Sequence, residues 1–243
     1  MKTKSSWIIA TALLFVLISV AASSALPAQA NEKARAAAIK EGLERIDFIH
    51  YGRTANPGKA KPPTATCYKL MGVKWSELPV DYVINPDNTR GLSSQFVTSA
   101  ISAAAETWDA ATSQELFNNK YYIDTTLHYG VQDFNNVIDF GDYPNSGVIA
   151  ITSVWYTRKS KQIVEFDMRF NTRFNWGNAA SNPSLMDLQN IATHELGHSF
   201  GLDDIYNSGC SAVTMYGYSN YGETSKRTLE QPDITGLQSM YGI

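Results

Sequence analysis

The eleven residues 194–204, HELGHSFGLDD, constrain the fold of this chain more than any other stretch. They continue a run, from Leu185 to Leu196, in which apolar residues recur at helical spacing, so the first part is predicted to lie on an amphipathic helix. On a helix, His194 and His198 are one turn apart on the same face. Two imidazoles placed in this way can converge on one metal ion, so the fold must build its interior around this helix end.

Both ends of this helix carry sequence signals. Ser184 and Asp187 have the spacing of a capping box, which predicts that the helix begins there. Gly201 lies three residues beyond the second histidine, where a left-handed glycine can end the helix and turn the chain back. Asp204 then falls where a third metal ligand would stand. Asp203 is the adjacent alternative, and the register of the motif favours Asp204.

Glu195 has a different task from the two histidines. It is rotated by about 100° from His194 around the helix, so it lies beside the metal without being forced to bind it. A carboxylate in this place can take a proton from zinc-bound water that attacks a carbonyl. The sequence therefore predicts a Zn²⁺ cofactor and Glu195 as the catalytic base.

Composition restricts the class of protein further. The chain has 243 residues and a formal net charge of −3, and 44% of its residues are hydrophobic. Such a chain can bury a sizeable core, and its mildly acidic balance argues against a nucleic-acid partner. Its two cysteines are too few for a disulfide-rich scaffold.

The N-terminus has the pattern of an export signal. Met1–Lys4 is basic, Trp7–Ala22 is apolar, and Ala28–Ala30 supplies small residues for a cleavage site. The apolar run is shorter than the roughly 20 residues that a membrane-spanning helix needs. We expect residues 1–30 to be a removed signal peptide and the mature protein to be secreted, without a membrane contact.

A leader segment is expected between the signal and the folded domain. Residues 31–45 are typical of a short exposed helix, and residues 52–66 are rich in Pro and Gly, as in a linker. The segment 31–66 is therefore a candidate pro-segment, and residues 67–243 are the candidate catalytic domain.

The order of predicted elements indicates an α+β fold. Ser94 is a predicted N-cap, and the helix after it has an apolar face that ends at Trp108; the helix that carries His194 follows later in the chain. Alternating or apolar runs predict five strands, at Val80–Ile84, Tyr121–Tyr129, Asn136–Phe140, Val148–Tyr156 and Ile163–Phe170.

The string HExxHxxGxx(H/D) resembles the zinc signature of the metzincin peptidases, and the version with Asp is similar to their snapalysin-type branch. Met215 lies at a fitting distance for the methionine turn of that group. The strand and loop at 163–176 and the C-terminal string 231–242 resemble the matrixins. The resemblance covers residues 67–243 and implies a twisted mixed sheet on two long helices, with a small C-terminal subdomain that carries the methionine turn.

The same resemblance implies a monomeric zinc metalloendopeptidase that hydrolyses polypeptides. Strand 148–156 would then bind substrate by adding it to the sheet, although an ordinary strand would have the same pattern. Tyr216 and Tyr218 would stabilise the oxyanion or form a wall of the pocket, or simply pack. Ca²⁺ is a further expected ion, with candidate ligands Asp139, Asp142, Asp167 and Asn171.

Several alternatives stay open at this stage. Cys67 and Cys210 can form a disulfide in an oxidising compartment, or Cys67 can block the zinc, as a leader cysteine does in some matrixins. His50 and His128 are expected to be surface or locally bonded residues, not ligands. A gluzincin design would recruit Glu223, and a binding module on an inactive scaffold would have no need of Glu195.

Overall fold

The computed structural model describes residues 32–52 and 66–243. The helices are α1 (Glu32–Glu41), α2 (Ser94–Asp109), α3 (Leu188–Ser199) and α4 (Gln231–Tyr241), with short 3₁₀ turns at Ser208–Cys210 and Ser225–Arg227. The strands are β1 (Leu43–Gly52), β2 (Val83–Ile84), β3 (Tyr122–Ile123), β4 (Val137–Gly141), β5 (Val148–Thr157), β6 (Ile163–Asn171), β7 (Trp176–Gly177), β8 (Met186–Asp187) and β9 (Tyr218–Ser219).

One mixed sheet organises the domain, with seven strands in the order β3-β2-β4-β6-β5-β1-β9. Strands β3, β2, β4 and β6 are mutually parallel, β5 is antiparallel to β6, and β1 is antiparallel to β5. This confirms the expected α+β architecture, while two of the predicted strands are much shorter. The run predicted at 121–129 ends at Ile123, because Asp124 accepts bonds from the backbone and hydroxyl of Thr126 and turns the chain.

Helix α2 packs beneath the sheet as its sequence predicts. Its N-cap is Ser93 and not the predicted Ser94, because Oγ of Ser93 accepts a hydrogen bond from the backbone of Phe96 at 3.2 Å. Trp108, at the other end, is fully buried, and its indole donates to the carbonyl of Thr193 in α3 at 2.7 Å. The expected apolar face is buried at all six positions, Val97, Ala100, Ile101, Ala104, Ala105 and Trp108.

Helix α3, which carries His194 and His198, begins later than the sequence predicts. Asp187 is its N-cap and accepts from the backbone of Asn190 at 2.9 Å, so the expected capping box at Ser184 is wrong. The reason is that Met186–Asp187 pair with Trp176–Gly177 as β8 and β7, which holds these residues in extended conformation.

The end of α3 is packed closely from below. A side chain at Gly197 would place its Cβ 2.3 Å from Sδ of Met215, so only glycine lets the methionine approach the helix. Gly201 has φ of +95° and ends the helix as predicted. The chain beyond it forms the smaller C-terminal part that carries Met215 and α4.

The leader region differs from its prediction. The helix expected over 31–45 ends at Glu41, and a ten-residue strand, β1, follows and joins the main sheet. The predicted signal peptide 1–30 lies outside the described residues, as does most of the predicted linker 52–66. In the described part of the chain, no helix is long and apolar enough to span a membrane.

Candidate active site

The imidazoles of His194 and His198 face each other at the end of α3. Their Nε2 atoms are 3.2 Å apart, and both side chains are buried. Each Nδ1 lies against a backbone carbonyl, of Thr214 at 2.7 Å and of Leu202 at 2.9 Å. A carbonyl only accepts, so each Nδ1 carries the ring proton and each Nε2 presents a lone pair.

Asp204 completes this group. Its Oδ1 is 3.3 Å from Nε2 of His194 and 3.7 Å from Nε2 of His198, and its Oδ2 accepts a hydrogen bond from Tyr206 at 2.9 Å. Burial opposes ionisation of this carboxyl, but the two imidazoles outweigh it and lower the pKa of Asp204 to about 2. Asp203 instead pairs with Lys69 at 2.5 Å.

The three side chains fit a zinc ion. Burial lowers the pKa of His194 to about 4 and also lowers that of His198, so both rings are neutral at physiological pH. Two lone pairs in contact repel unless a cation lies between them. Oδ1 of Asp204 is buried and has no hydrogen-bond partner among the residues that the structure describes. Two imidazoles and one carboxylate form a three-ligand set that leaves a position open for a reactant.

Glu195 is fully buried beside this ligand group. Thr152 of β5 donates to its Oε2 at 2.5 Å, while Oε1 has no hydrogen-bond partner among the described residues. Burial raises the pKa of Glu195 to about 8, and the bond from Thr152 opposes that shift. A buried carboxylate with one free oxygen is suited to accept a proton from a reactant.

Lys226 is buried near the site and was not singled out in the sequence. Its Nζ donates to the carbonyls of Tyr216 and Tyr218 at 2.6 and 2.7 Å and to Oγ of Ser219 at 2.8 Å. Burial lowers the pKa of Lys226 to about 8. The rings of Tyr216 and Tyr218 pack edge to face at 5.7 Å, and Tyr218 also packs on Tyr206, the hydrogen-bond partner of Asp204.

Strand β1 brings two further residues to the site. Phe48 stacks on the ring of His198 with centroids 4.0 Å apart, and His50 meets His194 edge to face at 4.0 Å. His50 is 1% exposed, so the expectation of a surface position is wrong. The alternation of Ile46, Phe48 and His50 is a strand signal that could have located them.

The remaining predicted residues lie away from the histidine pair. Cys67 and Cys210 are joined by a disulfide. Glu223 accepts from the backbone of Asn220, and it belongs to neither of the two potential metal-binding groups among the described residues. The four calcium candidates all have protein partners: Asp139 with Arg169, Asp142 with Arg173, Asp167 with the backbone of Gly130 and Val137, and Asn171 with the carbonyl of Val148.

Fold and site together define a metzincin-like α+β domain. A family described as Matrixin matches residues 74–242, and the chain belongs to that family. Neutrophil collagenase of Homo sapiens is 31% identical over 174 residues, which are 70% of this chain and 34% of that protein. Stromelysin-1 of Mus musculus is 28% identical over 171 residues, 70% of this chain and 33% of that protein. The chain thus spans about a third of the length of these relatives.

Proposed function

We propose that this protein is a secreted zinc-dependent metalloendopeptidase that hydrolyses peptide bonds in polypeptides. One observation carries the proposal. The Nε2 atoms of His194 and His198 are 3.2 Å apart and face Oδ1 of Asp204, which is buried and has no hydrogen-bond partner in the described part of the chain. Glu195 lies beside this group. Membership of the matrixin family supports the same activity. The names of the relatives, a collagenase and a stromelysin, describe those proteins and leave the substrate of this one open.

In this proposal His194, His198 and Asp204 hold the zinc ion. Zinc in such a site polarises a carbonyl oxygen and makes water more acidic. Oε1 of Glu195 accepts the proton of the attacking water and then delivers it to the leaving amine. Thr152 holds the other oxygen of Glu195, so the base keeps one orientation through both transfers.

Substrate is proposed to bind as an extended strand along β5, at the edge that β1 occupies in this structure, so β1 would have to leave that edge first. That strand passes directly over the site, because Thr152 lies on it and bonds Glu195. Main-chain hydrogen bonds to a strand edge give affinity for any extended peptide, while pockets for alternate side chains select among them. This is the mode expected for an enzyme that cuts within unfolded segments of polypeptides.

Secretion and maturation also belong to the proposal. We propose that residues 1–30 direct export, that residues 31–66 act as a leader to the catalytic domain 67–243, and that the mature protein is a monomer free of the membrane. The Cys67–Cys210 disulfide is consistent with an oxidising compartment. Because the four calcium candidates already have protein partners, the proposal depends on zinc alone.

The test is hydrolysis of an unfolded protein mixture by the zinc-loaded chain, beside the isosteric variant Glu195→Gln. Mass spectrometry of new termini reads the cleavage sites, and zinc content is measured in both proteins. We expect the variant to bind zinc equally and to cut about 10²–10⁴-fold more slowly, since it lacks the base. Equal rates in the two proteins would refute the mechanism.

A further inference from the structure

Residues 67–71, which we call the brace segment, run beside the loop that carries the third proposed zinc ligand. The backbone amide of Met71 donates to the carbonyl of Gly201 at 2.8 Å. Two residues further along the loop, the amide of Asp203 donates to the carbonyl of Lys69, also at 2.8 Å. The brace segment and the loop are therefore joined by backbone hydrogen bonds at two successive points.

Two of the three proposed zinc ligands depend on this loop. Nδ1 of His198 donates to the carbonyl of Leu202 at 2.9 Å, and Leu202 forms an antiparallel bridge with Leu70 of the brace segment. The backbone amide of Asp204 donates to Oδ1 of Asp203 at 2.7 Å. The brace segment thus holds the carbonyl that orients one ligand and the residue that adjoins the other. Groups that orient metal ligands in this way contribute to the affinity for the metal.

The side chain of Lys69 keeps the two neighbouring aspartates apart in their roles. Its Nζ lies 2.5 Å from Oδ2 of Asp203, while Oδ1 of Asp204 lies 3.3 Å from Nε2 of His194. The ammonium neutralises a carboxylate that stands next to the ligand group. It also holds Asp203 on the brace segment, so that only Asp204 is directed at the histidines.

A disulfide, and not burial, anchors the brace segment. None of residues 66–72 is buried, so little apolar surface offsets the entropy lost when this part of the chain is ordered. Its first residue, Cys67, is instead bonded to Cys210. Cys210 is 2% exposed and belongs to the same small apolar cluster as Ile205, the residue that follows Asp204. The disulfide therefore ties the brace segment to the far side of the ligand loop.

We propose that the brace segment positions the zinc ligands and that the Cys67–Cys210 disulfide holds it in place, so that the chain binds zinc at full affinity only after this disulfide has formed. Its formation removes two electrons and two protons from the two thiols. Oxidised glutathione, or another disulfide, accepts both and becomes two thiols. The inference rests on the proposed function, because it adds positioning residues and a redox condition to the same zinc site. These residues precede residue 74, where the match to the family begins.

The first experiment measures zinc affinity by competition with a chromophoric chelator, so it needs no turnover. The chain of residues 31–243 is compared in its disulfide form, after reduction by a phosphine, and as the double variant Cys67→Ala/Cys210→Ala. We expect the double variant to bind zinc about 10- to 100-fold more weakly than the disulfide form and not to respond to the phosphine. This variant also removes the thiols, which could bind zinc themselves in the reduced chain. Equal affinity of the double variant and the disulfide form would overturn the proposal.

A second set of variants tests the brace segment with the disulfide intact. Lys69→Met keeps the apolar stem but removes the ion pair with Asp203, and Lys69→Arg restores the charge. Lys74→Met is the matched control, because Nζ of Lys74 donates to the carbonyl of Met240 in α4 at 3.1 Å. We expect Lys69→Met to weaken zinc binding about three- to fivefold, the effect of a partly exposed ion pair, and the other two to leave it unchanged. Equal effects of Lys69→Met and Lys74→Met would count against a positioning role.

A spectroscopic measurement separates a change at the site from a loss of folding. The near-ultraviolet signal shows whether each variant is folded, and the visible absorption of Co²⁺ bound in place of zinc depends on the number and geometry of its ligands. We expect the double variant to be folded and its Co²⁺ absorption to differ from that of the disulfide form. An unfolded double variant, or an unchanged absorption, would overturn the role proposed for the disulfide.

The variant Asp204→Ala separates this proposal from the proposed function. It should weaken zinc binding in the disulfide form, because it removes a ligand. If it binds zinc as tightly as the original chain, the proposed zinc site is wrong, and the brace segment loses its role with it. If Asp204→Ala binds weakly while the double variant and Lys69→Met bind normally, the zinc site stands and only the brace segment is refuted.

Discussion

Two strands flank β5. They pair with it in the same way but differ in the burial of their side chains. β6 and β1 are both antiparallel to β5 and of similar length. In β6 every residue but Arg169 is buried, whereas in β1 only Phe48 and His50 are, and they contact the rings of His198 and His194 in α3. Backbone pairing thus does not distinguish a strand of the core from a strand of the leader segment. The burial of the side chains does, because it determines how much apolar surface each strand removes from water.

The largest expected contrast is in stability. Phe166 of β6 is fully buried against the ring of Phe117, so Phe166→Ala should lower the free energy of unfolding by about 3–5 kcal/mol. Phe48→Ala on β1 should lower it by less than half as much, because β1 buries only two of its side chains. Urea unfolding of both variants measures this. Equal losses of stability would mean that β1 is a core strand.

A second contrast concerns zinc. Tyr206 donates to Oδ2 of Asp204, so Tyr206→Phe should weaken zinc affinity about 10- to 100-fold. His50→Ala should leave zinc affinity unchanged, because His50 bonds Ser219 and is not one of the three proposed zinc ligands. Competition with a chromophoric chelator measures both, with the exposed Tyr221→Phe as control. Loss of zinc affinity in His50→Ala would make β1 part of the metal site.

Neighbouring residues of β5 should differ in their effect on turnover. Thr152 donates to Glu195, the proposed base, so Thr152→Val should lower kcat about tenfold with little change in KM. Ser153, on the opposite face of the strand, donates to Asp47 of β1 at 2.7 Å. Ser153→Ala should therefore leave kcat within about twofold of its original value. Steady-state kinetics of the two variants measures both effects, and equal losses of kcat would count against distinct roles.

The smallest expected effect is the pH dependence of the free energy of unfolding that two carboxyl groups of β6 cause. Burial raises the pKa of Glu165 to about 7 and that of Asp167 to about 8, above their values in the unfolded chain. The folded state therefore holds extra protons, and stability should fall as pH rises from about 4.5 to about 8. Between pH 6 and pH 8 the loss should be at least about 1 kcal/mol by urea unfolding, and smaller in Glu165→Gln. A rise in stability over this interval would contradict it.

Sequence patterns predicted those parts of the fold whose cause is local. The apolar face of α2, the end of α3 at Gly201 and the pair His194 and His198 follow from helical spacing and glycine conformation. The predicted start of α3 at Ser184 was wrong, because the pairing of β8 with β7 keeps Met186 and Asp187 extended despite the capping signal. That pairing joins residues ten positions apart, Trp176 with Met186, and two-residue strands leave no alternating pattern in the sequence.

The contacts missed at the site have no repeating sequence pattern. Thr152 bonds Glu195 across 43 positions, and Lys226 bonds the carbonyls of Tyr216 and Tyr218, ten and eight positions away, through an irregular turn of the C-terminal part. The alternating pattern around Phe48 indicates a strand, but it does not identify the strand with which it pairs. The partner strand and the position of Phe48 beside His198 depend on the assembly of the whole sheet.

Hydrogen exchange of the intact, zinc-loaded chain tests most directly whether β1 is a separable strand of the leader segment while β6 is part of the core. Backbone amides of 43–52 should exchange through local opening, at least about tenfold faster than those of 163–171, which require global unfolding. This is the result expected if β1 detaches from β5 while the domain stays folded. Equal protection of both strands up to the global free energy of unfolding would show that they unfold as one unit and would contradict the distinction.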